Sequence, residues 1–257
     1  MPNDASVADA PSPQSTIDII DGWHCAFPDG AGIATGGYAK LFEDPRVTWA
    51  VERLGGVQGA EILELGPLEG GHTYMLDRAC AKNIVAIEGL KRGYLKCLIT
   101  KELLGIRSAN FLLGDFVPWL ERERRKFDVI WASGVLYHMT EPLKLLRLIA
   151  EHTDKIFLWT RFYPDSFAPA PPFPPPLVRI KNVPFEGKLV PHFERSYLMT
   201  NRAWFCGGVY SGCAWLRRGD VLDALKVLGF SDIEIAFENT DDALEPSFAL
   251  VARRACA

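Results

Sequence analysis

The chain has 257 residues, 48% of them hydrophobic and 23% charged, with a formal net charge of −4. That is enough length for a substantial core, an ordinary globular balance, and no global electrostatic pull towards nucleic acid. No apolar run reaches membrane-spanning length, and the first twenty residues lack the basic and apolar regions of a secretory signal, so a cytoplasmic protein is expected. The six cysteines are scattered with no Cys-x-x-Cys pair, which argues for reduced thiols and against a zinc site.

In chain order, residues 1–15 are polar and read as a disordered tail. Residues 16–58 begin with apolar Ile17, Ile19, Ile20, Trp23 and Phe27 among flexible glycines. They read either as a flap over a ligand cleft or as an arm packed on a sheet. A helix follows, N-capped by Asp44, with Pro45 in its first turn and Val47, Ala50, Val51 and Leu54 as its buried stripe. The stretch 61–72, Glu-Ile-Leu-Glu-Leu-Gly-Pro-Leu-Glu-Gly-Gly-His, reads as a buried parallel strand that breaks into a glycine turn and opens a helix near Gly71. It is not the dinucleotide fingerprint, because Leu68 stands at the second glycine position.

Further apolar runs at 84–87, 111–113 and 129–132 close on Glu88, on Gly114-Asp115-Phe116 and on Ser133-Gly134. Helices are predicted over 90–104, with Leu95, Leu98, Leu103 and Leu104 apolar, over 115–123 and over 142–152, and a fifth strand over 155–160. This alternation is the mark of a parallel sheet with helices on both faces. The pattern stops at Tyr163. Residues 164–191 hold nine of the chain's 18 prolines, which excludes a central strand or a long helix there. Residues 192–216 carry Phe193, Tyr197, Trp204, Phe205, Tyr210 and Trp215, which argues for order. A last helix is expected from an imperfect capping box at Asp220 and Asp223 through Leu225 and Leu228 to Gly229. Strands at 233–237 and 247–252 then form an antiparallel pair.

Successive strand ends thus carry Glu64, Glu88, Asp115 and Ser133, and three acids in that order suit a nucleoside site. The chain resembles a class I S-adenosylmethionine-dependent methyltransferase. Glu64-Leu65-Gly66 resembles that family's first motif, Glu88 its ribose-binding acid, Asp115 its adenine-binding acid, and the run 133–138 with Glu141-Pro142 its fourth-strand motif. The likeness covers about residues 59–163. The Gly-Val-Leu-Tyr-His run within it is also similar to bacterial tRNA wobble-uridine alkyltransferases. The resemblance implies a three-layer αβα Rossmann-like fold, with a seven-stranded, mostly parallel sheet whose last strand is antiparallel. It implies one domain over 16–257, in which 59–163 binds S-adenosyl-L-methionine, 164–218 is a Pro-rich and aromatic lid insertion and 219–257 closes the sheet.

The resemblance also assigns roles. Glu64 positions the ammonium of the methionine part, Gly66 and Pro67 line its path, and Gly70 belongs to the same turn. Glu88, with Gly89, holds the ribose hydroxyls. Asp115 and Phe116 take the adenine, with helix capping by Asp115 as its other role. Ser133 and Gly134 pass under the reacting methyl group, and Tyr137 walls the pocket. Methyl transfer is an in-line displacement in which the protein mostly supplies proximity. His138 reads either as a general base or as a cap on the helix near Pro142. His192 is a second candidate, with His24 and His72 behind it. No Ser-His-Asp or metal-ligand spacing emerges.

Between residues 161 and 218 stand eight basic and three acidic residues. A basic, aromatic lid on an acidic body points to a small anionic acceptor met by Arg161 and His192. The other reading is that these charges face water and pair with acids on the body. The patch is thin for a nucleic acid, and nothing in the sequence specifies an oligomeric state. A nicotinamide-dependent oxidoreductase on a similar sheet, and a non-catalytic scaffold, are the alternative functions.

Overall fold

The structure is a computed structural model that describes residues 10–164, 177–197, 209–240 and 246–255. Strands β1 (Glu61–Leu65), β2 (Asn83–Glu88), β3 (Ala109–Leu113), β4 (Val129–Ser133) and β5 (Lys155–Arg161) come first. They are followed by β6 (Leu177–Phe185), β7 (Lys188–Ser196), β8 (Gly212–Trp215), β9 (Phe230–Asn239) and β10 (Ser247–Arg254). Seven of them form one sheet in the order β3-β2-β1-β4-β5-β10-β9, and β6-β7-β8 form a second. In the large sheet β1 to β5 run parallel, and β10 runs antiparallel to both β5 and β9. The expected seven-stranded sheet with an antiparallel last strand is therefore present.

Helices α1 (Pro13–Ile17), α2 (Pro45–Arg53), α3 (Gly71–Arg78), α4 (Lys91–Leu104), α5 (Phe116–Arg122), α6 (Pro142–His152) and α7 (Arg218–Val227) pack around these sheets. Strands β1, β2, β4, β5 and β10 of the large sheet are buried on both faces because helices cover both, whereas the edge strand β9 is largely exposed. On one face Val47, Ala50, Leu76 and Cys97 of α2 to α4 meet Ile62, Ile84 and Trp131. On the other, Leu120, Leu146, Ile149 and Leu225 of α5 to α7 meet Leu63, Ile130, Leu158 and Leu250. Trp131 and Phe157 fill the centre with ring centroids 4.2 Å apart.

Several expectations need correction. Of the leucines that mark α4 in the sequence, Leu95 and Leu98 are exposed, and the buried positions are Gly93, Lys96, Cys97 and Thr100. The reason is close approach: a Cβ on Gly93 would stand 3.0 Å from the Leu68 carbonyl oxygen. Helix α7 starts at Arg218, so Asp220 lies within its first turn, where an acid complements the helix dipole, and is not the cap. Residues 13–15, expected in a disordered tail, belong to α1, whose N-cap Ser12 accepts from the Ser15 N–H at 3.1 Å. Residues 1–9 of that tail lie outside the described residues.

The proline-rich stretch contains an unforeseen hairpin, β6–β7. Pro184 is tolerated because β6 is an edge strand. Pro191 is tolerated because β8 pairs with β7 only from Phe193 onward. The remainder of the expected insertion, 165–176 and 198–208, with Trp204 and Phe205, lies outside the described residues.

The segment before α2 packs on helices, not on the sheet. Ile17, Trp23, Cys25, Phe27 and Phe42 cluster against Leu68, Tyr74, Ile99, Leu103 and Leu104. A buried ion pair locks it there. The Lys96 ammonium lies 2.7 Å from Glu69 Oε1 and donates to the Gly22 carbonyl at 2.5 Å. Glu69 accepts the backbone N–H groups of His24 and Cys25, each at 2.8 Å. Both Glu69 oxygens accept N–H groups and Lys96 finds two acceptors, and such added hydrogen bonds are the condition under which a buried pair holds. Glu69→Ala leaves the Lys96 charge buried and unpaired, and should cost on the order of 3–5 kcal/mol. Denaturant unfolding measures the loss, and limited proteolysis should cut first within residues 18–40. A loss under about 1 kcal/mol would refute the lock.

Candidate functional site

The carboxyl ends of β1 to β5 open on one cavity of about 360 Å³. It lies where the strand order reverses between β1 and β4, the place at which open α/β sheets bind ligands. Each loop on this rim contributes: Glu64, Gly66 and Pro67 at the end of β1, Glu88 and Gly89 at β2, Asp115 and Phe116 after β3. Ser133 and Gly134 follow from β4, Tyr137 and His138 from the 3₁₀ turn Leu136–His138, and Arg161 from the end of β5. Of the residues singled out in the sequence, Gly70 and His192 lie outside the cavity lining. Gly70 caps α3, and a Cβ there would meet Thr100 at 3.4 Å and Phe111 at 3.5 Å, so it serves packing. His192 is buried in β7.

The turn after β1 is built for close approach. Gly66 has φ +65, and a Cβ there would stand 2.6 Å from Val135 Cγ1. Leu68 adopts φ +59, a conformation that costs a residue with a Cβ roughly 1–2 kcal/mol. Its N–H donates to Glu88 Oε2 at 3.0 Å, which helps to hold it there. The other Glu88 oxygen accepts the Leu90 N–H at 2.8 Å. One buried carboxylate thus ties the loop after β1 to the loop after β2. Burial pushes its pKa up, against the pull of those backbone donors. A carboxylate offers about four acceptor positions, so acceptor capacity remains for a ligand.

Glu64 is 2% exposed and accepts the Thr73 hydroxyl at 2.5 Å. Burial pushes its carboxyl up to about 7, with the Glu88 charge adding to the effect and Thr73 opposing it. Such a group complements a cation. Asp115 caps α5, accepting the Val117 N–H at 2.9 Å on Oδ1, and accepts the Tyr210 hydroxyl at 2.7 Å on Oδ2.

At the far end, His138 Nδ1 lies 2.8 Å from the Tyr197 hydroxyl. The N-cap of α6 is Glu141, so His138 is not that helix's cap. Burial, then the Arg161 charge, push His138 down to about 3, and its ring is neutral at neutral pH. The Arg161 guanidinium lies 5.3 Å over the Tyr137 ring, and Tyr137 meets Trp159 edge-on at 5.9 Å. His72 also lines the cavity. The Trp131 indole, which can only donate, gives its N–H to His72 Nδ1 at 3.1 Å. Nε2 therefore carries the proton and donates to Asp44 Oδ2 at 2.9 Å. With both ring nitrogens engaged, His72 is part of the wall.

Sequence reasoning passed over Arg46 and Trp159. Arg46 binds Asp44 through Nε at 2.9 Å and stacks 4.6 Å over Trp159. Against the upward pull of burial, His72 and Arg46 hold Asp44 well below the usual carboxylate range. Trp159 was accessible to sequence reasoning, standing two residues before Arg161 on the same face of a strand. Arg46 was not, since no local pattern brings 46 to the rim of β5. Part of the basic surplus between 161 and 218 is neutralised outside the cavity, where Arg218 pairs with Glu238 of β9.

No protein-family model matches the chain, and no curated protein matches its sequence. Among solved structures, it is similar to the N-terminal domain of EvdMO1, crystallised in the presence of SAH and D-fucose. The TM-score is 0.72 at 23% identity, over 94% of this chain and 95% of that one. Against full-length EvdMO1 the match covers 46% of that chain, at a TM-score of 0.63 and 21% identity. It is also similar to an S-adenosylmethionine-dependent methyltransferase from Mesorhizobium loti, with TM-score 0.55, 16% identity, 83% of this chain and 100% of that one. A third is the 1,6-didemethyltoxoflavin-N1-methyltransferase of Burkholderia thailandensis, with bound 1,6-didemethyltoxoflavin and S-adenosylhomocysteine. Its TM-score is 0.53 at 12% identity, over 84% and 78% of the two chains. The likeness is one of fold, the Rossmann-like αβα fold of these methyltransferases.

The raised Glu64 carboxyl makes a prediction about stability. Its pKa of about 7 in the native state exceeds the ordinary 4.5. Between those values the native state binds more protons than the unfolded one, so this group's contribution falls as pH rises from about 4.5 to 7 and is level above. Glu64→Gln keeps an acceptor for Thr73 without the buried charge. Its stability relative to wild type should therefore improve with rising pH, by on the order of 3 kcal/mol between pH 4.5 and 7.5. Urea unfolding at several pH values measures this, and a difference independent of pH would refute it.

Proposed function

We propose that this chain is an S-adenosylmethionine-dependent methyltransferase acting on a small, anionic acceptor. The observation that carries this reading is the convergence of Glu64, Glu88 and Asp115, from the ends of three successive parallel strands, on one cavity floored by Gly66. The spare acceptor positions of Glu88 suit two ribose hydroxyls, each a donor. The buried Glu64 suits the methionine ammonium, whose charge would offset its burial. Gly66 leaves backbone exposed where a Cβ would collide. The fold neighbours crystallised with S-adenosylhomocysteine add support. A dinucleotide fits less well, since Glu64 stands at the turn where a pyrophosphate would sit and its carboxylate would repel that charge.

Bound there, the methyl donor supplies an activated methyl group on a sulfonium. The protein's part is to align the acceptor and exclude water. Arg161 is a cation at the acceptor end, and Tyr137 and Trp159 give that end aromatic walls. A guanidinium matches a carboxylate in a planar fork. His138 resists protonation and is a weak general base, so the site favours an acceptor that arrives already ionised, with His138 as a polar contact.

Two measurements test the reading. Glu88→Ala removes two charge-assisted hydrogen bonds to the ribose, each worth roughly 1.5–3 kcal/mol. The affinity for S-adenosylhomocysteine by calorimetry should fall at least about tenfold, and unchanged affinity in a folded variant would sink the assignment. For the acceptor, matched pairs of small aromatic acids and their amides should be assayed with wild type and Arg161→Ala. The acids should be preferred by wild type, and that preference should collapse in the variant. Equal use of both forms by wild type would rule out an anionic acceptor.

A further inference from the structure

Asp115 is held from two sides. Its Oδ1 takes the Val117 N–H at the start of α5, and its Oδ2 takes the hydroxyl of Tyr210, two residues before β8. The Tyr210 segment is itself fixed. The Tyr197 N–H donates to the Ser211 carbonyl at 2.9 Å, and the Ala214 N–H to the Met139 carbonyl at 2.7 Å, which ties β8 to the loop after β4. Beside Tyr210, Val209 lines the cavity and leans over Gly89, with its Cγ1 2.8 Å from where a Cβ would stand. Gly89 has space for Val209 only because it lacks a side chain.

We infer that Tyr210 is a specificity-determining residue for the base of the bound nucleoside: it fixes the orientation of the Asp115 carboxylate, so that the site takes a 6-amino group and refuses a 6-oxo group. This rests on the methyl-donor reading above. Two donors from separate segments fix the carboxylate's orientation, and each oxygen keeps a further lone pair. An exocyclic amino group can donate to Oδ2 beside Tyr210. A 6-oxo base would aim an acceptor at an acceptor. Burial and the Asp115 charge push the Tyr210 phenol up to about 12, so it remains a donor across the working range. Val209 closes the space above Gly89 without reading the base. Base selection thus depends on a segment outside the parallel core, delivered by the small sheet.

The test is calorimetric titration of wild type and Tyr210→Phe with S-adenosylhomocysteine and with S-inosylhomocysteine, which carries oxygen in place of the amino group. Wild type should prefer the adenosyl ligand at least about tenfold. Tyr210→Phe should lose about five- to tenfold for the adenosyl ligand and change within about twofold for the inosyl one, so that the preference collapses. Thermal melting checks that the variant is folded. Equal losses for both ligands, no loss, or a gain in adenosyl affinity would each overturn the inference. Failure of wild type to bind either ligand would instead overturn the methyl-donor reading.

Discussion

Five parallel strands in a row are the constraint on which everything else depends. Because β1 to β5 share one direction, all their carboxyl ends lie on a single rim, and every following loop begins there. The strand order runs outward from β1 to β3 and then restarts on the other side at β4. Loops on either side of that reversal diverge and leave a crevice. The crevice is a product of topology; what fills its walls is a product of sequence.

Loops that turn so tightly expose backbone N–H groups that need partners. Glu88 answers this by accepting two of them, from Leu68 and Leu90, and in doing so fixes the distance between neighbouring loops. The same carboxylate is therefore support and candidate reader at once. Asp115 repeats the arrangement with a helix cap and a tyrosine. On the opposite wall Asp44 joins His72 and Arg46, and Arg46 in turn stacks on Trp159, so the wall from α2 to β5 is a continuous polar and aromatic network. Neutral histidines and paired charges keep this wall close-packed.

The parts legible in the sequence were those encoded locally. Strand periodicity marked β1 to β5, and acids directly after those strands marked Glu64, Glu88 and Asp115, because position along a parallel strand alone puts them on the rim. What escaped depended on distant partners. Nothing local marks Lys96 as buried, because the acid that takes its charge, Glu69, stands 27 positions earlier. Leu68 looked like a break in a glycine pattern, yet the chain holds it in a glycine-like conformation through Glu88. The β6–β7 hairpin hid behind prolines that sit only where no strand needs their missing N–H. Tyr210 stood out only as one aromatic among several, since its partner Asp115 lies 95 residues away.

The Glu69–Lys96 lock also sets an order of events as the chain is made. Both charged groups are C-terminal to the segment they hold, and Lys96 belongs to α4, the second helix after the glycine turn. The first residues to leave the ribosome in this region must therefore wait, with Trp23 and Phe27 lacking their packing surface, until α3 and α4 have emerged and closed on β1 and β2. The arm is made before its packing surface, so folding there finishes late. An apolar stretch left waiting in this way is a natural target for a chaperone, and slow translation between residues 40 and 100 would lengthen its exposure.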